Sequence, residues 1–245
     1  MRRNRSATDY RPGVTVVTVN WNSLPFLSVM LDATRAMSPP DTEILVVDNG
    51  STDGSRDYLA TRRDVRVARL PLNFGHGIAL DLALPTVDTE FVAILDVDAF
   101  PINDKWLSVS VAALESGALV AGAHMHRNFI HPCFFVTRTK LIHDLGLTFR
   151  PFGRTQSRFR VAPLFLDVAE ALCQRLIIYG GGSAVLHRFP ITSLKGPGMA
   201  GAVFGGLVYH NQGATWGERK GIAPSDWHEA VGHHLGTFGI VDQAE

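Results

Sequence analysis

Short apolar runs recur through the first hundred residues: "VTVVTV" (14–19), "EILVV" (43–47), "VRVARL" (65–70) and "FVAIL" (91–95). The first, second and fourth are continuously apolar instead of alternating, as strands covered on both faces should be. Helix-like text separates them. Ser23 offers an N-cap, Pro25 falls in the first turn, and "FLSVMLDATRAM" carries a helical stripe that Pro39 and Pro40 end. "SRDYLATR" reads as a short helix after the turn-rich "DNGSTDGS", and "HGIALDLALPTV" as a helix interrupted near Pro85. Alternation of this kind predicts right-handed βαβ units, hence an α/β fold with a mostly parallel central sheet flanked by helices.

The second half is less regular. "NDKWLSVSVAALES" (103–116) reads as a helix, "ALVAGA" (118–123) and "CFFVTR" (133–138) as strands, and "TKLIHDLG" as a short helix closed by Gly146. "FLDVAEALCQRLIIYG" (165–180) places Leu166, Ala169, Leu172, Cys173 and Leu176 on one helical face. "SAVLHRF", a glycine-rich loop and "GLVYHNQG" follow. With no repeat and no clean linker, residues 1–245 read as a single domain.

Ligands of parallel sheets bind beyond the carboxyl ends of the strands. Those ends carry "NWN" (20–22), Asp48 with Asn49, and Asp96 with Asp98, so polar clusters converge on one edge of the sheet. Residues i and i+2 of a strand point to the same side, which lets Asp96 and Asp98 share a ligand. Two carboxylates that close repel unless a cation intervenes. Oxygen ligands suit Mg²⁺ or Mn²⁺, and such an ion can bind the oxygens of a diphosphate at the same time. The plainer reading of any isolated DxD is a solvated turn at a strand end. The order of the surrounding elements decides between the two.

Composition narrows the class. Lys+Arg and Asp+Glu balance at 23 each, which does not suggest nucleic-acid binding. Hydrophobic content of 46% against 19% charged is ordinary for a globular chain. The two cysteines, Cys133 and Cys173, have no CxxC spacing and suit a reducing compartment. The basic start "MRRNRSATDYR" lacks a following apolar run, and no stretch approaches the roughly 18 apolar residues of a membrane span. The expectation is a cytoplasmic protein, with peripheral membrane contact left open.

At these residues the chain resembles family 2 glycosyltransferases, inverting enzymes with the GT-A nucleotide-diphospho-sugar transferase fold. "VTVVTVNWNS" (14–23) is similar to the first strand of rhamnosyltransferase-like members, and "EILVVDNGSTDGS" (43–55) to the second strand. "NFGHGIALDLAL" (73–84) resembles the N-x-G-x-x-x-A segment before the metal strand, and "FVAILDVD" (91–98) the DxD strand itself. The likeness is dense over about 14–100 and thin beyond. It implies hexosyl or deoxyhexosyl transfer from a UDP-, GDP- or dTDP-linked sugar to a carbohydrate or glycolipid acceptor, with Mn²⁺ or Mg²⁺ as cofactor. Residues 14–123 would form the nucleotide-sugar half and 124–245 the acceptor half.

The resemblance also implies roles. Asp48 would accept a hydrogen bond from the nucleotide base, with Asn20 and Trp21 lining the same pocket. Asp53 and Asn73 would lie near the nucleotide, or else cap turns. Asp96 would sit near ribose or metal, Asp98 would ligate the metal, and "YHNQGATWG" (209–217) nominates His210 as a further ligand. Inverting transfer needs a general base. Members often carry E-D-x-D-L-C-x-R there. "LDVAEALCQR" (166–175) keeps the Leu-Cys-x-Arg tail without the Asp before Leu, leaving Asp167 as first choice and Glu170 as second. Trp216 and Phe204 are candidates to stack on a sugar, or core residues.

Competing motifs are weaker. "GHGIAL" (75–80) lacks the last glycine of a dinucleotide fingerprint, and His228 and His233 in "HEAVGHH" are five apart, not the four of a zinc helix. "HMHRNFIH" would gather His124, His126 and His131 only if the fold folded them together. A nucleotidyltransferase would want a basic, glycine-rich loop where "NWNSLPF" stands. A non-catalytic sugar-nucleotide binding subunit is the remaining alternative, kept open by the altered text at 166–175.

Overall fold

The computed structural model describes residues 10–124, 128–151, 167–194, 201–211 and 224–240. The early runs form β1 (Arg11–Asn20), β2 (Glu43–Asn49), β3 (Arg66–Leu70) and β4 (Thr89–Leu95). Helices α1 (Leu24–Ala36), α2 (Ser55–Thr61) and α3 (His76–Ala83) follow β1, β2 and β3 in turn, and α3 gives way to a 3₁₀ turn, Leu84–Thr86, at Pro85. Later strands β6 (Val120–Ala123), β7 (His131–Arg138) and β8 (Leu186–Phe189) extend the same sheet. Its seven strands run β3-β2-β1-β4-β7-β6-β8. Every neighbouring pair is parallel except those of β7, which is antiparallel to β4 and to β6. The direction of winding reverses between β1 and β4, which opens a crevice beyond their carboxyl ends.

Burial explains the unbroken apolar runs. Val16, Ile44, Val46, Ala93 and Leu95 face Leu27, Met30 and Leu31 of α1, together with Trp106 and Leu114 of α4 (Trp106–Glu115). Val17, Leu45, Val47, Val92 and Ile94 face the other way, towards Leu80 and Ala83 of α3 and Leu172 and Leu176 of α6 (Glu170–Tyr179). Successive strand residues thus enter opposite cores, each large side chain contributing about 1.5–3 kcal/mol. α5 (Thr139–Leu145) closes on Gly146, whose φ of +55° suits a glycine C-cap.

A second, four-stranded antiparallel sheet was not anticipated. It contains β5 (Ala99–Pro101), β9 (Ile191–Leu194), β10 (Ala202–Phe204) and β11 (Val208–His210), in the order β5-β11-β10-β9. Phe100 of β5 packs against Tyr209 of β11 and Trp227 of α7 (Pro224–Leu235), with ring centroids 5.0 and 5.2 Å apart. Phe204 is fully buried among these residues, so it is core and does not present a face to a sugar. Trp216, His126 and Leu166 lie outside the described residues.

The helix expected over 165–180 begins at Glu170. Ala169 takes a left-handed conformation, φ +67°, which breaks the helix before it. Among the described residues no helix is long and apolar enough to cross a membrane.

Candidate active site

The sequence "DVD" is the passage from one sheet to the other. β4 ends at Leu95 and β5 starts at Ala99, and the N–H of Ala99 closes a turn onto the carbonyl of Asp96 at 3.0 Å. Val97 turns into the core. The carbonyl of Asp98 accepts the N–H of Asn211 at 2.9 Å, continuing the pairing of β5 with β11 in which His210 opposes Ala99. This register brings His210 against the two carboxylates. Its Nε2 lies 3.3 Å from Oδ1 of Asp98 and 3.7 Å from Oδ2 of Asp96. One ligand atom from each of Asp96, Asp98 and His210 falls within 4.8 Å of the others.

The electrostatics of that group favour a cation. Burial holds the Asp96 carboxyl above the usual carboxylate range, and Asp98 adds to the shift while His76 and His210 oppose it. Burial alone would lower the His210 imidazole, but Cys133 and the Asp98 carboxylate drive it well above its usual value. Oδ1 of Asp96 is buried and makes no hydrogen bond among the described residues. Two carboxylates and an imidazole, one oxygen left over, make a donor set that fits Mn²⁺ or Mg²⁺, the imidazole suiting Mn²⁺ better.

The remaining predicted residues are distributed as follows. Asn20 and Asp48 face each other across the β1–β2 pairing. Nδ2 of Asn20 donates to Ser51 Oγ at 3.0 Å, and its buried Oδ1 makes no hydrogen bond among the described residues. Asp48 is fully buried. Its Oδ1 accepts Ser51 N–H at 3.1 Å and its Oδ2 accepts Nε of Arg56 at 2.8 Å. For Asp48 to read a base, the Arg56 guanidinium must share or leave that oxygen. Trp21 stands at the rim, 38% exposed.

Asp53 caps two helices. Its Oδ2 accepts the N–H of Leu24 at the start of α1, and its Oδ1 accepts both N–H and Oγ–H of Ser55 at the start of α2. Burial pushes its pKa up, but the hydrogen bonds from Ser55 and Leu24 prevail and hold it below the usual value.

Asn73 works through a turn. Gly50 has φ +80°, and a Cβ there would lie 2.6 Å from the backbone of Leu72, so glycine lets the loops that follow β2 and β3 meet. Asn49 then donates to Oδ1 of Asn73 at 2.9 Å, and Gly75 N–H donates to the same oxygen at 2.8 Å. The turn delivers His76, whose Nε2 is 3.5 Å from Oδ1 of Asp96.

Asp167 sits before α6, 46% exposed, with Oδ2 4.0 Å from Nε2 of His131. Glu170 is buried and its Oε2 accepts Asp167 N–H at 3.0 Å, closing the turn that precedes the helix. Sequence reasoning passed over His76 and Cys133, which border the group as His131 does. His131 was singled out only within a local histidine cluster. Its position at the start of β7, beside the end of β4, was the signal that could have found it.

The family profile described as Glycosyl transferase family 2 matches residues 15–164. With the GT-A arrangement of sheet and helices, that match defines the class: the chain belongs to glycosyltransferase family 2. TuaG of Bacillus subtilis (strain 168), named for teichuronic acid biosynthesis, is 32% identical over 103 residues, 40% of this chain and 39% of TuaG. The mannosyltransferase PcManGT of Pyrobaculum calidifontis, solved with GDP-Man and Mn²⁺, has a TM-score of 0.51 at 25% identity, covering 58% of this chain and 48% of that one. Glucosyl-3-phosphoglycerate synthase of Mycobacterium tuberculosis, solved with phosphoglyceric acid, shares the fold at a TM-score of 0.51 and 17% identity, over 75% and 71% of the two chains. The match spans about two fifths of TuaG and about half of the mannosyltransferase.

Proposed function

We propose that this chain transfers a hexosyl or deoxyhexosyl group, with inversion, from a nucleoside-diphosphate sugar to an acceptor hydroxyl on a carbohydrate or glycolipid. The observation that carries the reading is the convergence of Asp96, Asp98 and His210, drawn from two sheets, at the crevice between β1 and β4. A related mannosyltransferase solved with GDP-Man and Mn²⁺ supports it.

Asp96, Asp98 and His210 would hold Mn²⁺ or Mg²⁺. When bound, such an ion neutralises the charge that a diphosphate gains on leaving. Asn20, Trp21 and Asp48 line the base pocket, and the buried Oδ1 of Asn20 is an acceptor suited to a base N–H. Asp167 takes the proton from the acceptor hydroxyl as its oxygen attacks the anomeric carbon from the face opposite the diphosphate. Glu170 fixes the backbone of Asp167 through its N–H.

A thermal-shift screen of UDP-, GDP- and dTDP-sugars, each with Mn²⁺ and with EDTA, tests this. A rise that needs the metal is the expected result. No response to any nucleotide would overturn the donor site. Metal-dependent binding without release of nucleoside diphosphate would leave a sugar-nucleotide binding subunit in its place.

A further inference from the structure

His131 and Asp167 meet at the edge of the metal-ligand group, and the mechanism above makes no use of the histidine. His131 opens β7, and its Nδ1 accepts the backbone N–H of Cys133 at 3.1 Å. That bond settles two matters. A flipped ring would set a C–H against the Cys133 N–H, so the ring orientation is fixed. The nitrogen that accepts cannot also carry the proton of a neutral imidazole, so the hydrogen resides on Nε2. Nε2–H therefore faces Asp167, with Oδ2 4.0 Å away.

Asp167 is constrained from its other sides. Its Oδ1 accepts the N–H of Val168 at 2.8 Å, and its own N–H donates to Oε2 of Glu170 at 3.0 Å. Its second oxygen, Oδ2, lies opposite a donor whose tautomer is already set. The His131 ring is 5.9 Å from that of His210, centroid to centroid, so this pair adjoins the candidate metal ligands. Nε2 of His131 is nonetheless not one of the ligand atoms gathered within 4.8 Å there.

We propose that His131 is a positioning residue for Asp167. Its Nε2–H, directly or through one water, holds Oδ2 so that a lone pair of the carboxylate stays aimed at the acceptor hydroxyl. In this tautomer His131 has no lone pair on Nε2 and cannot itself be the base. The separation of 4.0 Å exceeds a hydrogen bond and is closed by rotation of the exposed Asp167 side chain or by the bridging water. The proposal rests on the reading of Asp167 as general base.

The test combines variants with a spectroscopic signature. His131→Ala, His131→Gln, Asp167→Asn and the His131→Ala/Asp167→Asn double variant are compared for melting temperature, Mn²⁺ affinity by electron paramagnetic resonance, and nucleoside diphosphate release from UDP-, GDP- and dTDP-sugars. His131→Ala should lower turnover about 10- to 100-fold, with donor KM and Mn²⁺ affinity nearly unchanged. Glutamine, which keeps an N–H donor near the position of Nε2, should restore most of the loss. Removal of His131 should cost nothing further once Asp167 is Asn, since the two act as one unit. Long-range ¹H–¹⁵N spectra should show His131 as the Nε2–H tautomer and shift its Nε2 signal in Asp167→Asn.

Wild-type turnover in His131→Ala, additive losses in the double variant, or the opposite tautomer would each overturn the proposal. A tenfold loss of Mn²⁺ affinity would also overturn it, making His131 a metal ligand instead. If Asp167→Asn alone leaves release unchanged, the base assignment fails, a result separable from the spectroscopic test of the pair.

Discussion

The large and small sheets contribute to the candidate site by different means. In the seven-stranded sheet, β1, β2 and β4 are buried on both faces and have a neighbour on each side. The placement of Asn20, Asp48 and Asp96 at their carboxyl ends follows from a core that would form whatever those residues were. The four-stranded sheet is made of β5, β10 and β11, each three residues long, and β9. Its contribution to the group is one side chain, His210, set by three pairings between β5 and β11. A slip of one residue there would turn His210 away and bring Tyr209 in its place. The strand-end residues of the large sheet are thus fixed many times over, while the third candidate metal ligand depends on a single short register.

Breaking the shared element should have the largest effect. Asp98→Ala is expected to abolish metal-dependent donor binding and to lower the melting temperature, because the buried His210 imidazole loses the carboxylate that faces it at 3.3 Å. Calorimetry with UDP-, GDP- or dTDP-sugars and Mn²⁺ reads this directly, and full-strength binding would refute the metal assignment. Asp167→Asn, at the proposed general base, should keep donor affinity and lower transfer about 10²–10⁴-fold. Unchanged transfer would move the base elsewhere.

The contrast between the sheets can itself be measured. Ile44→Ala in β2 should cost about 2–5 kcal/mol of stability and leave Mn²⁺ affinity as it was. Phe100→Ala in β5 should cost about 3–5 kcal/mol and weaken Mn²⁺ binding too, since Phe100 packs on Tyr209 beside His210. Equal effects of the two variants on the metal would mean that both sheets set the ligand geometry alike.

The smallest effect is expected at Asp53. Asp53→Ala should cost about 1 kcal/mol by removing caps from α1 and α2, without touching donor binding. Its folded pKa is below the ordinary 3.8, so its contribution is in force above that value. The contribution is lost as the pH falls through the lower, folded value. Wild type and variant should therefore converge in stability in acid, as denaturant titrations at several pH values would show.

What the sequence made legible tracks how locally each feature is encoded. The four parallel strands carry their pattern within a few residues, as does the stop at Gly146; Ser23 holds the N-cap position of α1, but its hydroxyl bonds the carbonyl of Trp21 and Asp53 accepts the N–H of Leu24 instead. The second sheet does not, because strands as short as Ala99–Pro101 and Val208–His210 have no room for periodicity and exist by pairing with each other. The start of α6 was misplaced because the left-handed conformation of Ala169 is not marked by a glycine or proline. Asp53 was left between nucleotide binding and capping, and the structure shows it capping. The position of His131 depends on the antiparallel pairing of Leu95 with Phe134, a relation between distant segments.

The meeting of Asp98 and His210 has a thermodynamic corollary. These residues are far apart in the chain, and the segment between them includes β6, β7 and β8 of the large sheet and most of the small one. A cation held jointly by Asp96, Asp98 and His210 would bind the folded chain and not the unfolded one, in which the two ends of that segment are apart. Its binding free energy then adds to the folding free energy of the whole molecule.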